Sequence, residues 1–418
     1  MRTMNRISRR AQGTGSIYKK TVTRKGQEYT YWEAQITVGA DPGTGKQIRK
    51  TFTGKTQKEV REKMQAAAVA VQDGDFFEPA KMTVAEWLDL WLKEYSADWK
   101  FKTKEKYETV CRVHLKPALG ATKLSKLTTP QIQSFYNELG RTGKVTRKKD
   151  KKSGKIMERR EPLSPKSIRL VHGVLSKALN TAVRVGYIKR NAAELCTTPK
   201  LEKKEISPLT DAQIKEFVDL CAGEDYGRIY KLILFTGLRE GEALGLTWDC
   251  VDFKAGTLKI KQQLQRQGET DELVPLKNSK PRYLTAPTFV MQLLKDERVH
   301  QLEQRLAAGE LWQGWQNAEE MKTALVFLRD DGSNITAAAL YQRYKHLAEK
   351  IGKPESRVHD LRHTFAVLSL QNGDNVKTVQ DNLGHATAAF TLDVYGHVSD
   401  KMKEDSAARM QAYIDNMA

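Results

Sequence analysis

The chain has 418 residues, of which 70 are Lys or Arg and 51 are Asp or Glu, giving a formal net charge of +19 at pH 7. This excess predicts a polyanionic partner, either a nucleic acid or an acidic membrane surface. No stretch approaches the ~20 apolar residues of a membrane-spanning helix, and the basic N-terminus lacks the apolar core of a signal peptide, which favours a nucleic acid and a cytoplasmic location.

The first predicted unit, residues 1–75, is a three-stranded sheet followed by one helix. Its segments SIYKKTVTR, TYWEAQITVGA and QIRKTFTG are rich in β-branched and aromatic residues, and glycine-containing turns separate them. The next segment, KTQKEVREKMQAAAVAVQDG, has a helical pattern that ends at Gly74. Residues 1–65 carry 15 Lys and Arg against five Asp and Glu, so over half of the excess charge lies in this unit.

The second predicted unit, residues 82–198, is a bundle of four or five helices. It opens with TVAEWLDLWLKEY, in which Thr83 and Glu86 match a capping box and apolar residues recur at helical spacing. The further predicted helices span 102–116, 129–139 and 164–185, and a short helix ends near Leu195.

A strongly basic stretch interrupts this second unit. Residues 141–160 contain ten Lys and Arg against two acidic residues, together with Gly and Ser. The pattern fits a long solvated hairpin and a disordered linker equally well. Such a stretch can contact the phosphate backbone of a nucleic acid without reading its sequence, and Lys148 and Lys149 are the candidate contacts.

The third predicted unit, residues 207–418, follows a Lys- and Glu-rich connector and is mainly helical with a small sheet. A helix capped at Thr210 begins it, and a buried helix covers Ile229 to Thr236. Two or three strands are predicted between residues 251 and 286, with several helices beyond them. The predicted fold class is therefore multidomain α+β.

Four short patterns in the third unit carry residues suited to chemistry. Each one alone has an ordinary structural explanation, such as a surface arginine at a helix start, a solvated hairpin tip, a helix cap or a half-buried tyrosine. Because of their order and spacing along the chain, the four patterns together support a functional interpretation more strongly than any one of them does alone. They are TGLREGEALGL with Arg239, VPLKNSKPRYLTAP with Lys277 and Lys280 on a predicted hairpin, VHDLRHTFAVL with His359 and Arg362 three residues apart, and NLGHATAAFTLDVYGHV with His385 and Tyr395.

Together these side chains supply what the transfer of a phosphodiester bond to a tyrosine requires without a metal ion. Two guanidiniums can bind the non-bridging oxygens and stabilise the charge of the transition state. Histidines can accept the phenol proton and donate to a phosphate oxygen, and a lysine can protonate the leaving sugar oxygen. The tyrosine forms a covalent phosphoester that stores the bond energy, so religation needs no ATP.

The same patterns resemble the boxes of the tyrosine recombinases, or phage-type integrases, including those of conjugative transposons. TGLREGEALGL resembles the first arginine box, HDLRHTFA the histidine–arginine box and LGHATAAFTLDVYGHV the histidine–tyrosine box. The resemblance implies no cofactor, and the four widely spaced cysteines form no CxxC pair that would predict structural zinc. It assigns one role to each residue: Arg239 and Arg362 bind the scissile phosphate, His359 and His385 assist proton transfer and phosphate binding, Lys277 is the general acid with Lys280 as its rival, and Tyr395 is the nucleophile.

The resemblance extends along the whole chain. It implies an arm-type DNA-binding domain over residues 1–75, a helical, SAM-like core-binding domain over residues 82–198 and a catalytic domain over residues 207–418. In such arm domains the three-stranded sheet enters the DNA major groove. The candidate contacts on this sheet are Tyr18, Lys20, Arg24, Tyr31, Gln35, Arg49 and Lys50.

The implied function is site-specific recombination of double-stranded DNA that integrates and excises a mobile element. Four protomers would hold two duplexes, cut them through a 3′-phosphotyrosine and exchange strands through a four-way junction. An excision accessory protein and association with the nucleoid belong to this expectation. The C-terminal helix would dock on a neighbouring subunit or pack on its own domain, and the residues along one of its sides are Met402, Ala407, Met410 and Ile414.

Two other classes of protein share part of this pattern. A type IB topoisomerase uses the same chemistry but rejoins the same strand, and the separate arm domain argues against it. A catalytically silent DNA-binding regulator has no need of the complete set of catalytic residue types, so the full set favours an active enzyme.

Overall fold

The computed structural model describes residues 16–24, 27–40, 47–72, 82–149, 156–202, 207–276, 280–384 and 400–417. The chain divides into two compact units, Met1–Glu202 and Lys203–Ala418. This division falls inside the predicted Lys- and Glu-rich connector. Among the described residues, no helix combines the length and the apolar character that crossing a membrane requires.

The first unit begins with the predicted sheet and helix. Strands β1 (Ser16–Arg24), β2 (Gln27–Ala40) and β3 (Gln47–Gly54) form an antiparallel sheet in the order β1-β2-β3, and α1 (Gln57–Gln72) follows. The helix covers one face of the sheet, because Gly54 lies against Val60 and the side chains of Ala34, Ile36 and Val60 are buried. The opposite face of the sheet is therefore not covered by α1.

A helical bundle makes up the rest of the first unit, and two tryptophans anchor its core. Trp87 and Trp91 are fully buried, and each indole N–H donates to the longest helix of this bundle, at 3.1 Å to the carbonyl of Ala178 and 3.2 Å to Thr181 Oγ1. These bonds satisfy both indoles inside the apolar core. The helices are α2 (Val84–Glu94), α3 (Phe101–Val110), a π-helical turn (Cys111–Leu115), α4 (Lys116–Leu119), a 3-10 turn (Leu124–Lys126), α5 (Thr129–Thr142) and α6 (Pro165–Arg184).

The described residues of this unit's basic stretch form two paired strands, which agrees with the predicted hairpin and not with a disordered linker. Strands β4 (Lys144–Lys149) and β5 (Ile156–Glu161) pair antiparallel, with Lys144 opposite Glu161. The predicted short helix ending near Leu195 is wrong, since residues 192–195 form a turn. Asn191 explains the difference, because its side-chain oxygen accepts the N–H of Ala193 at 2.9 Å and thereby offers the backbone an alternative to a helix.

The second unit is mainly helical, as predicted, and most of its helices surround one large apolar core. Thr210 caps its first helix, as predicted, and Gln213 completes a capping box with it. The elements before the strands are α7 (Asp211–Leu220), a 3-10 turn (Cys221–Gly223), α8 (Gly227–Thr236), α9 (Glu240–Leu244) and a 3-10 turn (Trp248–Cys250). Those after the strands are α10 (Thr288–Ala308), a 3-10 turn (Gly309–Leu311), α11 (Ala318–Thr323), α12 (Ala337–Lys350), α13 (Val358–Gln371), α14 (Val376–Leu383) and a C-terminal helix (Asp400–Asp415).

The strands of this unit exceed the two or three that were predicted, and they pair differently. The five strands are β6 (Val251–Asp252), β7 (Thr257–Ile260), β8 (Gln262–Gln267), β9 (Thr270–Pro275) and β10 (Arg282–Thr285). One sheet has the order β10-β7-β6, and β8 pairs with β9 around Gly268, whose φ of 61° suits a tight turn. The predicted hairpin over residues 274–287 is therefore wrong, since β9 and β10 belong to different sheets.

Close packing of α8 against the end of α14 and the middle of α13 sets the position of the site. Helix α8 ends at Gly237, which has a φ of 65°. A Cβ on this residue would overlap Phe365 of α13 and lie 2.7 Å from Leu383 Cδ2 of α14. Only glycine permits both the left-handed turn and this approach.

Substitution of Gly237 tests this packing against a matched glycine. Gly352 has a φ of 67°, and a Cβ there would meet nothing within 4 Å. Gly352→Ala should destabilise the second unit by about 1 kcal/mol, the cost of a left-handed alanine. Gly237→Ala should cost about 1–3 kcal/mol more, because the methyl group overpacks the core. Denaturant unfolding of the full chain measures both, and equal losses would contradict the packing described here.

Candidate active site

Arg239 lies at the junction between α8 and α9, where it is the residue preceding the first turn of α9. Its backbone N–H donates to Glu242 Oε2 at 3.0 Å, and its Nη1 donates to Glu242 Oε1 at 2.7 Å. Its Nη2 donates to the carbonyl of Gly384 at 3.2 Å. The side chain remains 35% exposed, so the guanidinium is held on one side and open to solvent on the other.

Arg362 lies in the first half of α13 and is almost completely buried. Its Nη1 donates to the carbonyl of Gly237 at 2.7 Å, and its Nη2 donates to the carbonyl of Leu383 at 2.6 Å. A buried positive charge is costly unless polar partners surround it. The two carbonyls supply such partners and fix the guanidinium between the ends of α8 and α14.

A third arginine, Arg282 at the start of β10, completes the cluster. Its Nε donates to the carbonyl of Asn382 at 2.9 Å. Three consecutive carbonyls at the end of α14, those of Asn382, Leu383 and Gly384, thus each accept from a different arginine. The C-terminal end of a helix carries unpaired carbonyls and a partial negative charge, and both favour cations there.

Glu242 is the carboxylate that joins two of these arginines. Its side chain is 1% exposed, and it accepts from Arg282 through two bonds of 3.1 Å and 2.6 Å as well as from Arg239. Burial alone would raise the pKa of Glu242, but the hydrogen bonds and charge of Arg282 and the charge of Arg239 outweigh it and lower the pKa to about 2. Glu242 is therefore ionised at neutral pH.

His359 and His363 lie one turn apart on α13 and pack edge to face. Their ring centroids are 4.7 Å apart and their planes meet at 84°. His359 is exposed at the surface, yet partial desolvation of its ring and the charges of His363 and Arg362 lower its pKa to about 4. A neutral imidazole at pH 7 can accept a proton, which is the state that a general base requires.

The structure brings together three of the six predicted catalytic residues, namely Arg239, His359 and Arg362. Both arginines lower the pKa of His359 through their charges. Lys280 is exposed, two residues before Arg282 in the chain. The other three predicted residues, Lys277, His385 and Tyr395, lie outside the described residues.

Three residues of the cluster were not predicted as site residues. Each of them had a signal in its spacing. Glu242 lies three residues after Arg239, at the position where a capping residue returns to the helix start. His363 lies four residues after His359, on the same helical face. Arg282 stood within the polar stretch that carries Lys277, but the incorrect hairpin placed it at a solvated turn.

The N-terminal sheet gathers most of its predicted contact residues on the face opposite α1. Residues paired directly across neighbouring strands share a face of the sheet. Tyr18 pairs with Glu33, Lys20 with Tyr31, Ser16 with Gln35, and Arg49 with Thr37, which places all of them on one face; Arg24 is the last residue of β1. Lys50 pairs with the buried Ile36 and therefore belongs to the face that α1 covers.

Glu33 occupies the centre of this open face and is only 4% exposed. It accepts hydrogen bonds from the hydroxyl of Tyr18 and, at 3.0 Å, from Nζ of Lys20. Gln35 Nε2 donates to the same hydroxyl at 3.3 Å. These bonds lower the pKa of Glu33 and raise those of Tyr18 and Lys20. The carboxylate thus fixes two of the predicted contact side chains.

Lys148 and Lys149 are the last two residues of β4, where they pair with Met157 and Ile156 of β5. Their side chains lie outside the described part of the chain. Arg159 and Arg160 of β5 are exposed and share ion pairs with Glu161 and Glu158.

Comparison with known proteins places the chain in a family. Residues 200–402 match the model described as the phage integrase family, and residues 83–140 match the phage integrase N-terminal SAM-like domain. A XerC-like tyrosine recombinase of Caldanaerobacter subterraneus is 29% identical over 93% of this chain and 97% of its own. The ICEBs1 integrase of Bacillus subtilis is 23% identical over 91% of this chain and 96% of its own.

A solved structure has the same fold over most of the chain. The Tn1549 transposon integrase, solved in complex with transposon right end DNA, matches with a TM-score of 0.63 and 21% identity, covering 79% of this chain and 100% of that one. The two family matches fall on the helical bundle of the first unit and on the mainly helical second unit, and both are regions of phage-type integrases. The chain belongs to the phage integrase family of tyrosine recombinases.

The protonation of His359 can be measured directly. In the full chain, the imidazole NMR signal that His359→Gln removes should titrate near pH 4 and not near the ordinary 6.5. His363→Gln should raise this midpoint, because the charge of the neighbouring imidazolium then no longer opposes protonation. A midpoint of 6.5 in the unsubstituted protein, or no change on substitution of His363, would contradict this account of the site.

Proposed function

We propose that the chain is a site-specific DNA recombinase that integrates and excises a mobile element. Tyr395 attacks the scissile phosphate, forms a 3′-phosphotyrosine and leaves a free 5′-hydroxyl on the cut strand. The 5′-hydroxyl of a partner duplex then attacks the phosphotyrosine, and two such rounds pass through a four-way junction. The bond energy stays in the phosphoester throughout, so the exchange needs no ATP.

The convergence of Arg239 and Arg362 at the end of α14, with His359 near enough for both charges to lower its pKa, carries this proposal. Arg239 is open to solvent on one side and can donate to a non-bridging oxygen, while the buried Arg362 adds a second positive charge. His359 is neutral at pH 7 and can take the phenol proton. His385 follows Gly384 directly in the chain, so we assign it to the same phosphate, and we assign the general acid to Lys277 with Lys280 as its alternative.

A tetramer on DNA is the proposed active assembly. The solved structures that share the fold include a lambda integrase dimer bound to a COC′ core site and a lambda integrase tetramer bound to a Holliday junction. The C-terminal helix of this chain exposes Met410, Tyr413 and Ile414. An apolar helix face of this kind suits docking on a neighbouring subunit, which supports assembly through this segment. An excision accessory protein remains part of the proposal.

Covalent trapping tests the proposed chemistry. The full chain is incubated with a duplex of the element end that is nicked beside the cleavage point, so that a short 5′-hydroxyl strand diffuses away and religation stops. A protease-sensitive protein–DNA band should form in SDS and should be lost in Tyr395→Phe. Arg239→Ala and Arg362→Ala should slow its formation by on the order of 100-fold or more, because each removes charge stabilisation of the transition state.

Two controls make this result specific. Tyr341→Phe removes another exposed hydroxyl, on α12, and should leave the rate unchanged. Addition of a partner strand with a free 5′-hydroxyl should give a joint between duplexes, whereas a topoisomerase would restore the original strand. A band that persists in Tyr395→Phe would overturn the assignment of the nucleophile. Absence of a band with intact DNA binding would favour a silent regulator.

The proposed DNA contacts of the N-terminal sheet can be tested by comparing substitutions at two adjacent residues. Arg49 lies on the open face of the sheet, and Lys50 lies on the face that α1 covers. Arg49→Ala should weaken binding of the full chain to a duplex of the element end and should reduce the slope of log affinity against log salt by about 1. Lys50→Ala removes the same charge and should change both quantities less. Equal effects would show that charge alone, without the sheet face, determines binding.

A further inference from the structure

Arg282 connects three separate segments of the second unit through one guanidinium. It stands at the start of β10, its Nε donates to the carbonyl of Asn382 in α14, and its Nη1 and Nη2 donate to the carboxylate of Glu242 in α9. The side chain is only 12% exposed, against 35% for Arg239. Arg282 is therefore the more buried of the two arginines that bind Glu242.

The local backbone leaves room for this guanidinium. Gly384 ends α14 with a φ of 62°. A Cβ on Gly384 would lie 3.0 Å from Nη1 of Arg282 and 3.2 Å from its Cζ, so any larger residue would press on the guanidinium. The turn that precedes His385 is thus shaped around Arg282 as well as around Arg239, which donates to the same turn.

The charge balance explains what Arg282 contributes to Arg239. Glu242 carries a full negative charge and is 1% exposed, so it needs cationic partners inside the protein. Two arginines bind this carboxylate, so Glu242, Arg239 and Arg282 together have a net charge of +1. Without Arg282, the group would be neutral, and Arg239 would be the one remaining arginine on Glu242 among the described residues, so the carboxylate would draw its guanidinium inward. Arg239 would then present less positive charge to an anion.

We propose that Arg282 is a positioning residue of the recombination reaction, which holds Glu242 so that Arg239 presents its guanidinium and its charge to the scissile phosphate. This inference rests on the proposed function. Arg282 itself does not touch the DNA. Its planar fork makes two parallel bonds to the carboxylate and a third to the carbonyl of Asn382, a geometry that lysine cannot reproduce.

The test measures adduct formation by the full chain in a single turnover on the nicked duplex, together with DNA affinity. Arg282→Ala should lower the maximal rate by on the order of 100-fold, comparable with the loss of one transition-state donor, and should leave the affinity within about threefold. Arg282→Lys keeps the positive charge but lacks the planar guanidinium. Its rate of adduct formation should be about tenfold higher than that of Arg282→Ala. Because Arg282 acts through Arg239, adding Arg282→Ala to Arg239→Ala should lower the rate of adduct formation by less than a further threefold.

Arg228 supplies a matched control for the loss of a buried ion pair. Its Nη1 donates to Glu297 Oε2 at 3.2 Å, and Glu297 is 6% exposed, but this pair joins α8 to α10 and has no bond to the end of α14. Arg228→Ala should leave the rate of adduct formation unchanged. If Arg282→Ala fails to fold, as judged by thermal unfolding of the purified chain, Arg282→Lys and its double variant with Arg239→Ala decide the question.

Three outcomes would overturn the inference. The first is a wild-type rate of adduct formation in Arg282→Ala or in Arg282→Lys. The second is a loss of rate in Arg282→Ala that adds in full to the loss in Arg239→Ala. The third is a fall in DNA affinity as large as the fall in rate. A failure of the proposed function is distinguishable from all of these, because the unsubstituted chain would then form no adduct at all.

Discussion

Three consecutive carbonyls at the end of α14 accept hydrogen bonds from guanidiniums on three other segments of the second unit. Arg239 comes from the α8–α9 junction, Arg282 from β10 and Arg362 from α13. Three positive charges so close together repel one another, and they are tolerated because Glu242, the helix end and the carbonyl of Gly237 supply the opposite charge. The geometry of the site depends on this balance, which leaves an excess of positive charge for an anion.

The same cluster sets the protonation of the proposed base. Partial desolvation and the positive charges of the neighbouring groups lower the pKa of His359, so the imidazole is neutral in the range where the arginines keep their charge. A charged cluster and a neutral base can therefore coexist at pH 7. This arrangement suits a reaction in which a phenol loses a proton while a phosphate gains negative charge.

Local sequence rules predicted most of the elements, and the exceptions have physical reasons. Capping boxes at Thr83 and Thr210 marked their helices correctly, because caps are local interactions. Strand pairing is a non-local property, so the pattern around Lys277 suggested a hairpin where β10 in fact pairs with β7. That error concealed Arg282, whose role depends on a carboxylate 40 residues earlier and a carbonyl 100 residues later. The histidine and arginine of HDLRHTFA were predicted from a local pattern, and the structure places both on α13, where the charge of Arg362 acts on His359.

The most direct test of this account is a structure of the full Tyr395→Phe chain bound to an intact duplex that carries the element end. The account predicts the scissile phosphate beside the end of α14, with a non-bridging oxygen ~3 Å from the guanidinium of Arg239 and with Arg362 and His359 among its nearest neighbours. It also predicts that Glu242 still bridges Arg239 and Arg282. A scissile phosphate bound elsewhere, with Arg239 still turned only toward Glu242 and Gly384, would contradict it.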